Sequence, residues 1–292
     1  VSESERVLMG GRLFCPLKSL HKGVLFTMAI ETIAVLGAGQ MGSGIAQIAA
    51  ANGYKVIMRD IKQEFCDKGV ATIKKGLDKQ VAKGKTTQEA ADAIMANIST
   101  TVELEGVAPA DFVIEAVPEI MSLKQDTFKQ LGEICKPDAI LCTNTSSMSI
   151  TEITGACKNP ERCMGMHFFS PVYAMKLVEM IRAEKTSDAT VEAVREVSKK
   201  MGKVPVLCQT DTPGFIVNRC LFAFMLEAIH EYEDGVATID DIDTAIKLGL
   251  NHPMGPFEMM DLSGLDTFPP VTEILEKLPV TSWACPESVK AK

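Results

Sequence analysis

The sequence predicts an α/β protein in which a doubly wound, largely parallel sheet is followed by a smaller all-helical domain. Three observations support this fold class. Short apolar runs alternate with helix-length segments over roughly the first two thirds of the chain, a glycine-rich turn follows the first run, and the pattern after about residue 210 is helical only. Continuous apolar runs of this length are typical of parallel strands that are buried on both faces.

The first predicted unit is strand–helix–strand. A strand at Thr32–Leu36 leads into the turn at 37–42 (GAGQMG), an alanine-rich helix extends to about Asn52, and a second strand at 56–58 ends at Asp60. A long helical region, rich in lysine and glutamine, is then predicted at 62–96. This order of elements is that of a Rossmann-type unit.

The alternation of strands and helices continues to about residue 208. Strands are predicted at 112–116, 139–143, 163–169, Leu177–Ile181 and Val204–Cys208, and helices at 123–135, 189–201, 214–233, 239–248 and 259–277. Strand patterns stop near residues 209–211, so we place the domain boundary there. We therefore expect an extension at 1–27, a Rossmann-type domain at 28–210 and a helical C-terminal domain at 211–292.

Composition excludes several functional classes. The net charge of −8 over 292 residues argues against a nucleic acid or a membrane surface as partner. Nine cysteines without C-x-x-C spacing indicate buried thiols in a reducing compartment rather than a disulfide framework or a metal site. We expect a cytoplasmic location, with the mitochondrial matrix as the alternative. Glu3 and Glu5 count against a presequence at 1–27.

The glycine turn indicates a dinucleotide. Gly37, Gly39 and Gly42 permit a tight turn, a close approach of the backbone to a pyrophosphate, and packing of helix on strand. The helix that follows offers unpaired N–H groups to the phosphates. Asp60 would bind the ribose hydroxyls and repel a 2′-phosphate, which favours NAD over NADP. The alternative is a glycine turn in an unrelated α/β protein.

Polar residues follow two further strands of the predicted sheet. Glu119 ends the segment 112–119 (FVIEAVPE), and Asn144 and Ser146 lie in 141–147 (LCTNTSS). Ligands of open α/β sheets bind at the carboxyl ends of strands, so these side chains are placed to reach a cofactor or a substrate. Ordinary turn chemistry explains the same residues equally well.

The most specific candidate pair is His167 and Glu179. If the two apolar runs that contain them are antiparallel strands, the imidazole and the carboxylate face each other as a general base and its partner. A histidine between apolar residues is more often a hydrogen-bonded core residue. Glu179 favours the catalytic interpretation, because a buried carboxylate needs a partner. Asn218, in DTPGFIVNR at 211–219, adds an inward polar group that could equally be a buried residue fixing how the domains pack.

Several motifs in the same order resemble the L-3-hydroxyacyl-CoA dehydrogenase family, and its bacterial short-chain 3-hydroxybutyryl-CoA type in particular. They are NTSS at 144–147, MHFFSPVYAMKLVE at 166–179, DTPGFIVNR at 211–219 and the segment 241–267. The resemblance implies NAD-dependent oxidation of a (S)-3-hydroxyacyl-CoA to the 3-ketoacyl-CoA. It also implies a homodimer formed through the helical domain.

The resemblance assigns roles to individual residues. His167 becomes the catalytic base and Glu179 its partner, while Ser146 and Asn218 position the substrate oxygen. The cofactor-binding residues are then Gly37, Gly39, Gln40, Met41, Gly42, Asp60, Glu119, Lys124, Asn144 and Ser146. Basic residues after the second strand would hold the CoA moiety, with Lys79, Lys83 and Lys85 as candidates, although a lysine-rich face is usually just solvated.

The chain departs from the family pattern at two places. Ser170 stands where the family commonly has asparagine, and the resemblance fades after Thr267, which suggests a shortened helical domain. A β-hydroxyacid dehydrogenase would need a catalytic lysine in the later helix, whereas 211–219 offers Asn218 and no lysine. A sugar-acid dehydrogenase and an inactive NAD-binding relative remain as alternatives.

Overall fold

The structure is a computed structural model that describes residues 30–263. The predicted extension at 1–27, the predicted helix beyond residue 263 and the suggested C-terminal shortening lie outside these residues. Within them, one sheet carries helices on both faces and is followed by a helical part, which confirms the predicted fold class. No helix of the described part is long and apolar enough to cross a membrane.

The sheet has eight strands in the order β3-β2-β1-β4-β5-β6-β7-β8. Its strands are β1 (Thr32–Leu36), β2 (Lys55–Arg59), β3 (Ile98–Thr101), β4 (Phe112–Glu115), β5 (Ile140–Thr143), β6 (Cys163–Phe168), β7 (Leu177–Ile181) and β8 (Val204–Cys208). All neighbours pair in parallel except β6 and β7, which are antiparallel. The short edge strand β3 was not predicted from the sequence.

The described helices are α1 (Gln40–Ala51), α2 (Gln63–Ala82), α3 (Gln88–Ala96), α4 (Met121–Ile134), α5 (Ile150–Thr154), α6 (Asp188–Lys200), α7 (Val217–Glu233), α8 (Ile239–Leu250) and α9 (Pro256–Ser263). The helical region predicted at 62–96 consists of two helices, because a turn separates α2 from α3. Gly84 adopts a positive φ of 66° in this turn, and the Thr87 hydroxyl caps α3.

Alternate residues of β1 face two separate cores. Ile33 and Val35 pack in the cluster that contains residues of α1, α2 and α6, whereas Ala34 and Leu36 pack with residues of α4 and α5. This two-sided burial explains why the strand is apolar at consecutive positions. The chain leaves β1 toward β2 but leaves β4 toward β5, so a crevice forms between the carboxyl ends of β1 and β4.

The helical part after the sheet has a small core of its own. Phe222 and Met225 of α7 pack against Met260 of α9. The Asp243 carboxylate of α8 accepts the backbone N–H groups of Phe257 and Glu258 and so caps α9. These contacts fix α7, the helix that approaches the sheet domain, within the helical part.

Candidate active site

The antiparallel pair β6–β7 brings His167 and Glu179 directly opposite each other. The His167 Nδ1 and Glu179 Oε2 atoms are 2.9 Å apart, and the two residues are 6% and 0% exposed. A carboxylate can only accept, so the Nδ1 proton points to Glu179 and Nε2 keeps its lone pair. The arrangement therefore orients one imidazole nitrogen as a proton acceptor.

The second carboxylate oxygen of Glu179 caps α7. Its Oε1 atom accepts the backbone N–H groups of Ile216 at 3.0 Å and Val217 at 2.8 Å. The helix predicted at 214–233 starts later than expected, at Val217, because Phe215 adopts a φ of +50°. A strand residue distant in sequence supplies the cap.

Two aromatic rings surround the imidazole. The ring centroid of His167 is 4.5 Å from that of Phe169 and 5.8 Å from that of Phe215. Phe215 is 2% exposed and directly precedes α7, so the helical part covers one side of the imidazole. These contacts limit rotation of the imidazole and exclude water from its edge.

The segment after β5 joins this group. The Asn144 Oδ1 atom accepts the backbone N–H of Phe168 at 2.8 Å, next to His167. Two residues later, the Ser146 carbonyl lies 3.4 Å from Asn218 Nδ2, and the Ser146 N–H donates to Glu119 Oε1 at 2.9 Å. The structure thus brings together Asn144, Ser146, Asn218 and Glu119 around the carboxyl ends of β4, β5 and β6.

Two buried thiols on strands of this sheet, Cys142 and Cys208, are not candidate nucleophiles. Burial raises the pKa of Cys142 on β5, and burial also raises the pKa of Cys208 at the end of β8. Both side chains therefore stay neutral thiols near pH 7.

A dinucleotide crevice adjoins the group at the carboxyl ends of β1 and β4. Gly37 has a φ of +97°, and a Cβ there would lie 2.4 Å from the Ala116 carbonyl oxygen of β4's extension. A Cβ at Gly39 would meet nothing within 4 Å, so open space faces the start of α1. No side chain caps that helix within the described part, which leaves its first N–H groups for an anion.

Family models match almost all of the chain that carries this site. The model for the NAD-binding domain of 3-hydroxyacyl-CoA dehydrogenase matches residues 32–212, and the model for the C-terminal domain matches residues 214–289. The chain belongs to the 3-hydroxyacyl-CoA dehydrogenase family. The predicted resemblance is confirmed, and the match to the C-terminal model extends beyond Thr267, where the sequence motifs fade.

Relatives of known name support the same conclusion. The chain is 46% identical to the 3-hydroxybutyryl-CoA dehydrogenase of Clostridioides difficile over 83% of this chain and 86% of that protein. A probable 3-hydroxybutyryl-CoA dehydrogenase of Deinococcus radiodurans is 47% identical over 83% of this chain and 87% of its own. The crystal structure of (S)-3-hydroxybutyryl-CoA dehydrogenase from Ralstonia eutropha superposes with a TM-score of 0.83 at 41% identity, over 85% and 87% of the two chains.

The cofactor of this family domain is NAD, as the sequence predicted. The crevice of this chain fits it. Gly39 leaves room for the pyrophosphate, and the Asp60 carboxylate stands at the end of β2, where its Oδ2 accepts the Ala38 N–H at 2.7 Å. That bond places the carboxylate at the glycine turn, and its contact with an adenosine ribose stays a prediction.

We expect the glycines to separate folding from cofactor binding. A Cβ at Gly42 would lie 1.8 Å from the Gly37 carbonyl oxygen, so Gly42→Ala should destabilise the fold by about 3 kcal/mol or more. Gly39→Ala, which projects into open space, should preserve the unfolding free energy but weaken NADH binding by about 10- to 100-fold. Urea unfolding and NADH fluorescence titration of both variants measure the two effects. Equal NADH affinity in Gly39→Ala and the wild type would contradict the placement of the pyrophosphate.

Lys124 lies beneath the crevice rather than open to it. Its ammonium is 1% exposed, contacts Glu115 Oε1 at 2.7 Å and Glu119 Oε2 at 3.3 Å, and also donates to the Val117 carbonyl. Sequence reasoning missed Glu115, which is 0% exposed and also accepts the Thr143 hydroxyl. A carboxylate inside the apolar run FVIE was the available signal, since it needs a buried partner. Contact of Lys124 with the cofactor stays a prediction.

The remaining predicted residues fall at two places. Gln40 and Met41 open α1, and Gln40 Nε2 donates to the Ser170 hydroxyl at 3.0 Å, so the serine at this position keeps a contact. Lys79 and Lys83 are exposed at the C-terminal end of α2, and Lys85 is exposed just beyond it. Helix α2 runs alongside α1 in the same direction, with Gly76 near Gln47. The structure therefore does not bring these lysines to His167, and their role in CoA binding stays a prediction.

Proposed function

We propose that this protein catalyses the reversible NAD-dependent oxidation of a (S)-3-hydroxyacyl-CoA to the 3-ketoacyl-CoA. The preferred substrate in this proposal is 3-hydroxybutyryl-CoA. The observation that carries the proposal is the buried His167–Glu179 pair at 2.9 Å, beside the dinucleotide crevice of a 3-hydroxyacyl-CoA dehydrogenase family member. The preference for a short acyl chain is proposed because two bacterial relatives are named as 3-hydroxybutyryl-CoA dehydrogenases.

In this mechanism His167 is the general base. NAD⁺, when bound, supplies the acceptor for the hydride that leaves C3 of the substrate. The Nε2 atom of His167 takes the hydroxyl proton as the C3–O bond becomes a carbonyl. Glu179 keeps the proton on Nδ1 and stabilises the imidazolium that forms. In the reverse direction the imidazolium returns the proton to the forming alcohol.

Ser146 and Asn218 position the substrate oxygen in this proposal. The contact of Asn218 Nδ2 with the Ser146 carbonyl at 3.4 Å is long, so the amide can turn to donate to a substrate oxygen. Neither side chain is fully buried, which leaves both accessible from the crevice. Asn144 and Glu119 hold the segment that carries Ser146 in place.

The deciding measurement is NADH oxidation, followed at 340 nm, with acetoacetyl-CoA and with 3-ketoacyl-CoAs of longer acyl chains. Turnover that is fastest with acetoacetyl-CoA is the expected result. Oxidation of L-gulonate by NAD⁺ in place of this activity would favour a sugar-acid dehydrogenase. NADH binding without turnover of any 3-ketoacyl-CoA would favour an inactive relative.

Cofactor preference gives a further prediction. Replacing Asp60 by serine removes the charged acceptor for the ribose hydroxyls, so kcat/KM with NADH should fall about 10- to 100-fold, and the preference for NADH over NADPH should fall with it. Steady-state kinetics with both cofactors measure the change. Asp67→Ser, on the exposed side of α2, is the control. An unchanged cofactor ratio in Asp60→Ser would contradict the assignment.

We also propose a homodimer formed through the helical part and a cytoplasmic location. Support for the dimer comes from apolar side chains at the C-terminal end of α8, since Leu248 is 80% exposed and Leu250 is 59% exposed. The similarity to bacterial relatives supports the location. Light scattering after gel filtration of the full chain tests the dimer, and a monomeric mass would contradict it.

A further inference from the structure

A buried lysine lies outside the site described above. Lys203 directly precedes β8 and is 8% exposed. Its ammonium donates to the Val172 carbonyl and, at 2.7 Å, to the Met175 carbonyl. Both of these acceptors are neutral, and burial lowers the pKa of the Lys203 ammonium. An ammonium buried against carbonyls alone is unfavourable unless its hydrogen bonds are well made, and an apolar side chain would fill the space at lower cost.

Both acceptors of Lys203 belong to the β6–β7 loop, residues 169–176. The opposite side of this loop rests on α1, the helix of the glycine turn. Val172 packs against Gly44, where a Cβ would lie 2.9 Å from the Val172 Cβ, and Ser170 accepts a hydrogen bond from Gln40 at 3.0 Å. The loop is therefore held between α1 and Lys203.

The same loop connects the two strands of the proposed base. It begins with Phe169, whose ring lies 4.5 Å from the imidazole of His167, and it leads into β7, which carries Glu179. A shift of the loop would move Phe169 and allow the imidazole of His167 to rotate more freely. In the proposed complex, the N-terminus of α1 faces the cofactor phosphates. The loop contacts both α1 and His167, so it fixes the distance between the imidazole and the cofactor.

We propose that Lys203 is a positioning residue for hydride transfer. Its ammonium fastens the β6–β7 loop against α1, and through Phe169 it keeps the imidazole of His167 aligned with the substrate hydroxyl. The proposal rests on the dehydrogenase function proposed above. Lys203 touches neither the substrate nor the cofactor in this role.

The test uses the full chain with Lys203→Met, which retains the length of the side chain but removes the donors. Lys199→Met is the matched control, because Lys199 is exposed near the end of the preceding helix α6. A misplacement of about 1 Å at the reacting groups can cost 10²-fold, so kcat for acetoacetyl-CoA reduction should fall about 10- to 100-fold. The KM for NADH should change by less than about threefold, because Lys203 leaves the glycine turn in place.

A primary deuterium isotope effect separates positioning from simple loss of folded protein. With NADH deuterated at the transferred C4 hydrogen, the isotope effect on kcat should be larger in Lys203→Met than in the wild type, because hydride transfer becomes slower. A smaller folded fraction would lower kcat and leave the isotope effect unchanged. If Lys203→Met does not fold, Lys203→Gln is measured against the same criteria.

The outcomes distinguish the two proposals. If the wild type is active but Lys203→Met has an unchanged kcat or an unchanged isotope effect, only the proposed role of Lys203 is overturned. A wild type that binds NADH but does not reduce any 3-ketoacyl-CoA would overturn the dehydrogenase function and this role together. A lower kcat with a larger isotope effect in Lys203→Met, together with wild-type values in Lys199→Met, would support the positioning role of Lys203.

Discussion

Replacing His167 by glutamine should abolish nearly all turnover while NADH binding is retained. A general base contributes about 10² to 10⁴ in rate, so we expect kcat for acetoacetyl-CoA to fall by that factor. The glutamine amide can still donate to Glu179 Oε2, so the buried carboxylate keeps a partner and the fold is preserved. Stopped-flow or steady-state assays measure kcat, and fluorescence titration measures the NADH dissociation constant.

The control for this substitution is His230→Gln. His230 is exposed on α7, and its Nδ1 lies 3.8 Å from Glu227 at the surface. The same change of side chain there should leave kcat unaltered. A kcat within tenfold of the wild type in His167→Gln would sink the assignment of the base.

Glu179→Gln should lower kcat by about 10³ to 10⁴, because it reverses the imidazole tautomer. The amide oxygen can still accept the N–H groups of Ile216 and Val217, which directs the amide NH₂ toward His167 Nδ1. Nδ1 then has to accept, Nε2 carries the proton, and no lone pair faces the substrate. The geometry remains, but the base is absent.

The stability cost of Glu179→Gln should be modest. Weaker acceptance of the two helix N–H groups should lower the unfolding free energy by about 1 to 3 kcal/mol, measured by urea denaturation. Glu184→Gln, at an exposed residue in the turn after β7, is the matched control for the lost charge. A Glu179→Gln protein that is unfolded in buffer would indicate a structural role, and one with wild-type kcat would exclude the proposed partnership.

The central pair of the site could be predicted because it depends on local rules. Two apolar runs separated by a short loop predict an antiparallel pair, and alternation along a strand then fixes which residues face each other. His167 and Glu179 are indeed paired in register. The positions of the glycine turn and of Asp60 could also be predicted, because they follow from backbone conformation and from the order of strand, turn and helix.

Residues whose partners are distant in sequence could not be predicted. The start of α7 at Val217 depends on Glu179, which is 38 positions away, and no pattern in 211–219 records that contact. The burial of Lys124 against Glu115 could not be predicted, because only the tertiary fold brings these two side chains together. Lys203 had no signal at all, since its acceptors are backbone carbonyls of another segment.

The sequence did not predict two features of the secondary structure, the break between α2 and α3 and the edge strand β3. The break between α2 and α3 depends on the positive φ of Gly84 and on the cap at Thr87, two weak signals inside a region rich in helix-forming residues. Strand β3 (Ile98–Thr101) is short and only partly buried, so its polar residues resemble a loop. It forms because β2 offers an open edge for pairing.

The capping of α7 by Glu179 makes the two family domains interdependent. One oxygen of the Glu179 carboxylate accepts a hydrogen bond from the imidazole of the first domain. The other oxygen accepts the N–H groups at the start of α7 in the second domain. If the domains separate, the buried carboxylate loses two of its three donors, and the imidazole loses the ring of Phe215. The first domain carries both residues of the proposed base, yet the geometry of the pair depends on the second domain. The two domains would therefore have to evolve, recombine or be engineered as a matched pair.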